Sequence, residues 1–206
     1  MDASHIPTGN YYNKQKTKNP IERFLVTHFD KQLRKMFEKV NLSKTLEIGC
    51  GEGNNVVEIK DLNSDAHYTG TDIDHDLLEQ TKEKGADDVI YTDPEKAISI
   101  KFPDNSFTTV MMVEVLEHLP DPELALKEAA RLTSDQFIAT VPLEPLWRFM
   151  NLMRFKYISD LGNTPGHINH WGRSSFRKLI SRHFDIVECK IQLPWIMIRA
   201  RKRTGE

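Results

Sequence analysis

Gly49, Gly51 and Gly53 stand at alternate positions directly after a short apolar run, Leu46-Glu47-Ile48, and directly before a helical stretch beginning at Asn54. No other feature constrains the fold as much. Glycine tolerates left-handed backbone and lets a ligand approach the main chain closely. A strand that turns through glycines into a helix also aims the helix's free N–H groups and partial positive charge at the turn. That environment suits a carboxylate or a phosphate. The spacing here is G-x-G-x-G, whereas dinucleotide binders use G-x-G-x-x-G, and no Gly-Lys-Ser/Thr ending follows, which excludes a nucleotide P-loop. Taken alone, the triplet is also compatible with a plain tight turn.

The surrounding texture gives the turn a context. Asn19-Pro20 reads as a helix start, and Ile21, Phe24, Leu25, Phe29, Leu33, Met36, Phe37 and Val40 form a helical stripe, so 20–40 is expected to be an amphipathic helix. Strands are then expected at 45–48, 67–73, 89–91, 107–113 and 136–141, with helices at 54–60, 75–84 and 122–132 between them. Strand–helix alternation at this spacing predicts βαβ units and a parallel sheet, wound in the right-handed sense. The last third departs from this rhythm. A helix is expected over 144–158, a polar loop over 162–172 and a helix over 174–183. Strands at 184–192 and 195–201, turning about Pro194, should form an antiparallel hairpin at the sheet edge. The predicted fold class is α/β, a Rossmann-like three-layer sandwich. Residues 1–18 are expected to be a flexible arm, 19–206 a single domain, and 143–173 an insertion capping the substrate.

Composition narrows the function classes. A net charge of −2 over 206 residues gives no global electrostatic case for nucleic acid. No apolar run reaches the roughly 18–20 residues of a membrane helix, and residues 1–19 lack the apolar centre of a secretory signal. Cys50 and Cys189 have no metal-type spacing and suit a reducing, cytoplasmic setting.

A second residue refines the glycine signal. Asp72 ends the strand Tyr68-Thr69-Gly70-Thr71, about 20 residues beyond the glycines, where a carboxylate can accept hydrogen bonds from ribose hydroxyls. The alternative role for an acid here, capping the next helix, fits Asp74 better because it directly precedes that helix.

Read in order, LEIGCGEG, TGTDID, FPDNSF and EVLEHLPDP over residues 44–142 resemble the class I S-adenosylmethionine-dependent methyltransferases. The texture is that of the broad group that includes ubiquinone- and menaquinone-biosynthesis-type enzymes. The resemblance implies S-adenosylmethionine as cofactor. It places Glu47 by the methionine end of that molecule, Gly49, Gly51 and Gly53 beneath it, and Asp72 on the ribose. It also places Asp93 on the adenine amino group, with Asp88 as the alternative. Val113 and Glu114 fall at the strand end beside the methyl group. A catalytically silent cofactor-binding domain and a nicotinamide-dependent oxidoreductase are the competing readings.

Candidate bases follow from position. His118 follows the fourth strand, at the end of the sheet where α/β proteins bind ligands. His167 and His170 lie in the polar loop Thr164-Pro165-Gly166-His167-Ile168-Asn169-His170-Trp171, which reads as part of a substrate lid. A structural role as turn-stabilising rings is the alternative for all three. The His-x-x-His spacing is met by no third ligand at a recognisable distance, so no metal is expected. Tyr11 and Tyr12 either fold over bound cofactor or are incidental to a disordered arm. Trp147, Phe149, Met150, Met153 and Phe155 are expected mostly in the core, with some lining an apolar acceptor pocket. Arg199, Arg201, Lys202 and Arg203 read as a solvated basic end guarding an edge strand, with contact to an anionic acceptor or lipid head group as the alternative. The expected partner is a small-molecule or amphipathic acceptor, with no nucleic acid.

Overall fold

The computed structural model describes residues 19–92, 101–155 and 157–203. The expected arm 1–18 with Tyr11 and Tyr12, and the expected adenine ligand Asp93, lie outside these residues.

Helix α1 (Pro20–Phe37) begins where Asn19 accepts the N–H groups of Ile21 and Glu22, with proline in the first turn. The alternating core follows as β1 (Lys44–Ile48), α2 (Asn54–Leu62), β2 (His67–Asp72), α3 (His75–Glu83), β3 (Asp88–Tyr91), β4 (Phe107–Val113), α4 (Pro122–Leu132) and β5 (Thr133–Pro142). The chain then runs through α5 (Leu146–Met153), α6 (Arg173–Ile180), β6 (Phe184–Gln192) and β7 (Trp195–Lys202). Seven strands form one sheet in the order β3-β2-β1-β4-β5-β7-β6. The first five are parallel, and β7 runs antiparallel to both its neighbours.

The sheet is covered on both faces. Phe29, Leu33, Met36 and Phe37 of α1 pack with Val56 and Ile59 of α2 over Tyr68, Met111, Ile138 and Met197. On the other face, Ala125, Leu126 and Ala129 of α4 and Phe176 and Ile180 of α6 pack over Leu46, Val110, Met112, Phe137 and Ile198. The rings of Phe137 and Phe184 stack 4.2 Å apart within this second layer. The run FTTVMMV, apolar on both faces except at its threonines, is what a strand covered from two sides requires.

Strand order reverses between β1 and β4, which both end at the same edge of the sheet. In open α/β sheets a crevice forms there, outside the carboxyl ends of the strands. The glycine turn leaves β1 at that edge, and Val113-Glu114 leave β4 beside it. A Cβ added to Gly49 would lie 2.5 Å from Cγ2 of Val115, so the two loops are in direct contact.

Three expectations need correction. The helix expected over 144–158 is only Leu146–Met153. Phe155, Tyr157 and Leu161 all take left-handed backbone, and the chain doubles back so that the buried Asn151 amide donates to the Gly162 carbonyl at 2.9 Å. Because this helix is short and packs through one face, Phe149, Met153 and Phe155 are exposed, against the expectation that most of them are core. The C-terminal cations do not guard an edge. β7 lies between β5 and β6, and Arg199, Arg201 and Lys202 belong to that internal strand.

Candidate cofactor and acceptor site

Gly49, Gly51 and Gly53 all adopt positive φ, at 75°, 54° and 71°. This is the region L side chains disfavour, and the turn needs it at all three points. Packing adds to the requirement at Gly53, where a Cβ would lie 2.7 Å from the Thr81 backbone. Gly53 is the N-cap of α2 and offers no side chain to the first turn, so that turn is uncapped by protein side chains at its start.

Asp72 lies half-buried at the end of β2 and holds the turn. One carboxylate oxygen accepts the Gly51 N–H at 2.8 Å, and the other accepts Ile73 and Asp74 N–H at 2.8 and 3.1 Å. A carboxylate offers about four acceptor positions. Three are taken, which leaves about one for a ligand hydroxyl. Burial raises the Asp72 pKa, opposed by these backbone donors. Asp74, not Asp72, caps α3, accepting from Asp76 and Leu77, as expected. Tyr91, paired with Asp72 across β2 and β3, stacks its ring on His75 at 4.2 Å.

Glu47 lies beneath the turn and is 1% exposed. It accepts a short hydrogen bond from the Tyr68 hydroxyl and one from the Asn55 amide at 2.6 Å. Burial pushes its carboxyl from 4.5 to about 8, while the Tyr68 and Asn55 donors pull the other way. Nothing in a period-2 strand pattern marks Tyr68 as its partner. They meet because Glu47 and Tyr68 sit on neighbouring strands and face the same helix layer.

Asp88, the alternative adenine ligand, opens β3 and does not end it. Its carboxylate meets His67 Nε2 at 2.7 Å, at the sheet edge opposite the glycine turn. Thr92, the last described residue before Asp93, donates its N–H to the Asp72 carbonyl at 2.9 Å, so the chain leaves β3 beside Asp72.

Val113 ends β4 and Glu114 follows it. Glu114 takes left-handed backbone at φ 58°, a strained state for a non-glycine residue. Its carboxylate is fixed by the Thr140 hydroxyl at 3.0 Å and the Trp195 indole N–H at 2.7 Å. Trp195 in turn packs on Phe29 and Trp147, with centroids at 4.7 and 5.5 Å.

The loop over 162–172 closes on this wall. His118, in the short 3-10 turn Leu116–His118, has Nδ1 2.9 Å from the Gly166 carbonyl. Its ring meets the His167 ring edge to face at 4.9 Å, and Trp147 stacks on His167 at 6.2 Å. The Glu117 carbonyl accepts Ile168 and Asn169 N–H, and the Asn169 amide donates to Leu116 and Leu119 carbonyls. His118 and His167 are thus brought together, and Glu117, which the sequence reading passed over, joins them. His170 is not part of the group. It is exposed and bonded to Asn163 at 2.8 Å.

Comparisons with known proteins agree with this geometry. The Methyltransferase domain family matches residues 46–136. The chain is 30% identical over 93 residues to 27-O-demethylrifamycin SV methyltransferase of Amycolatopsis mediterranei, covering 43% of this chain and 34% of that protein. It is 30% identical over 128 residues to demethylmenaquinone methyltransferase of Staphylococcus aureus, covering 57% and 52%. The chain therefore spans between a third and about half the length of these curated relatives. Magnesium protoporphyrin IX methyltransferase of Synechocystis, solved with bound SAH, shares the fold at a TM-score of 0.66 and 15% identity, over 91% of this chain and 89% of that one. Among the described residues no helix is long and apolar enough to cross a membrane. Left-handed glycines and the Asp72 carboxylate meet at the switch point, and the match to the Methyltransferase domain family, over residues 46–136, lies over both.

Proposed function

We propose that the protein transfers the methyl group of S-adenosylmethionine to a small-molecule or lipid-linked acceptor. The observation that carries this is the meeting of two halves at one crevice: the glycine turn with Asp72, and the Glu114 strand end with the His118–His167 pair. When bound, the cofactor supplies a sulfonium-activated methyl group open to in-line displacement.

In this reading Gly49, Gly51 and Gly53 make room for the methionine tail, and the uncapped start of α2 receives its carboxylate. Glu47 lies beneath that tail as a buried acid whose ionisation answers to a nearby ammonium. Asp72 takes one ribose hydroxyl at its remaining acceptor position, and Asp93 reads the adenine amino group as the chain leaves β3. Val113 and the strained Glu114 border the methyl group. His118 and His167 face the acceptor's reacting atom. Positioning accounts for most of the rate, since well-oriented partners reach effective molarities of roughly 10⁵–10⁸ M.

Residues 143–173 form the cap over the acceptor. Exposed Phe149, Met153, Phe155, Ile158 and Leu161 on that segment support an amphipathic acceptor. Free Cys50 and Cys189 support a cytoplasmic setting.

Calorimetry tests the cofactor half. The protein should bind S-adenosylmethionine and its demethylated product but not NAD, and Asp72→Ala should weaken both by ten- to a hundredfold, the range of a hydrogen bond to a charged group. Unchanged affinity in that variant removes the ribose role, and failure to bind either compound at millimolar concentration removes the function. A screen with methyl-labelled cofactor over quinol, phenol and macrolide-type acceptors then defines the acceptor.

A further inference from the structure

We infer that Glu117, His118 and His167 form a binding site for a divalent transition-metal ion, with an oxygen-bearing acceptor as the remaining ligand. One ligand atom from each of the three lies within 4.8 Å of the other two. Ligands on a common zinc ion stand roughly 3.4 Å apart, given metal–nitrogen bonds of about 2.1 Å, so small rotations of the side chains close the set. Two imidazoles and one carboxylate are the donor chemistry of zinc and non-haem iron sites that keep a position open to water or substrate.

The surroundings hold the donors in place. His118 Nδ1 lies 2.9 Å from the Gly166 carbonyl, a contact that orients the ring. His167 sits at 7% exposure between the His118 ring and Trp147, and Glu117 is 1% exposed. The peptide groups around His167 are tied to the turn by Ile168 and Asn169, through their N–H bonds to Glu117 and the Asn169 amide bonds to Leu116 and Leu119. A donor set from two distant chain segments, fixed by backbone hydrogen bonds on both sides, is organised before any ion arrives. The His-x-x-His pair read from the sequence is not the site, because His170 turns to Asn163.

The ion's place beside the acceptor rests on the methyl-transfer reading. It deepens that reading by selecting acceptors that present a hydroxyl or enol oxygen. The ion-binding site itself does not depend on it.

The test uses full-length protein stripped with EDTA and titrated with Zn²⁺, and separately with Co²⁺ followed by its visible d–d bands. One equivalent should bind, with a rise in melting temperature. His118→Ala and His167→Ala should each weaken Zn²⁺ by at least a hundredfold, and His170→Ala should leave it unchanged. Glu117→Gln, which preserves shape, should weaken it by ten- to a hundredfold and shift the cobalt spectrum. Absence of saturable one-to-one binding to the wild type overturns the site, as does equal loss in His170→Ala or full retention in His118→Ala and His167→Ala. Cofactor affinity measured on the same preparation separates the two readings. Protein that binds S-adenosylmethionine but not Zn²⁺ loses only the metal site, and the reverse result removes only the methyl-transfer reading.

Discussion

Replacing Glu47 by Gln removes an ionisable group from beneath the glycine turn while keeping its shape, with the amide oxygen left to accept from Asn55 and the amide N–H able to donate to the Tyr68 hydroxyl. The wild-type carboxyl titrates near 4.5 when unfolded and at about 8 when folded, chiefly because it is buried. Below pH 4.5 both states hold the proton and the full stability is present. Between pH 4.5 and 8 the unfolded chain has released it and the folded chain has not, so stability falls as pH rises, and the loss is complete above 8. At 1.36 kcal/mol per pH unit the interval corresponds to about 5 kcal/mol. Glu47→Gln lacks this decline. Urea unfolding followed by tryptophan fluorescence at each pH from 5 to 9 should show the variant gaining on the wild type by several kcal/mol up to pH 8, then holding level. Titrating groups remote from Glu47 cancel in the difference. Parallel profiles for the two proteins would refute the buried, protonated assignment.

Three further outcomes follow from the same geometry. At pH 7, binding of S-adenosylmethionine should release a fraction of a proton, because its ammonium favours the Glu47 carboxylate; calorimetry in buffers of different ionisation enthalpy measures this, and Glu47→Gln should abolish it. Gly53→Ala should lower stability by more than the roughly 1–2 kcal/mol of a left-handed alanine, because its Cβ also meets the Thr81 backbone at 2.7 Å; a thermal melt checks it. Trp195→Phe leaves the Glu114 carboxylate without its indole donor at 2.7 Å and should cost about 1–3 kcal/mol in urea unfolding, with no loss expected if that contact is incidental.

Local chemistry alone determined much of this protein. Strands β1 to β5 and helices α1 to α4 fall where hydrophobic period, the Asn19 and Asp74 caps and the glycine turn place them, because those signals act over a few residues. The glycine turn with Asp72 was legible for the same reason: conformational demands at φ, and an acid at the end of the neighbouring strand, are both properties of short segments. Contacts between distant segments were not legible. Glu47 meeting Tyr68, Glu114 clamped by Thr140 and Trp195, and Glu117 joining His118 and His167 each need a particular strand order and a loop folded back some 50 residues later. The length of α5 was misjudged on the same ground, since apolar period signalled a helix while Asn151 and three left-handed residues turned the chain. Sequence writes propensities that each residue carries with it. Which side chains become partners depends on the packing of the whole sheet, where burial and hydrogen bonding between remote segments decide.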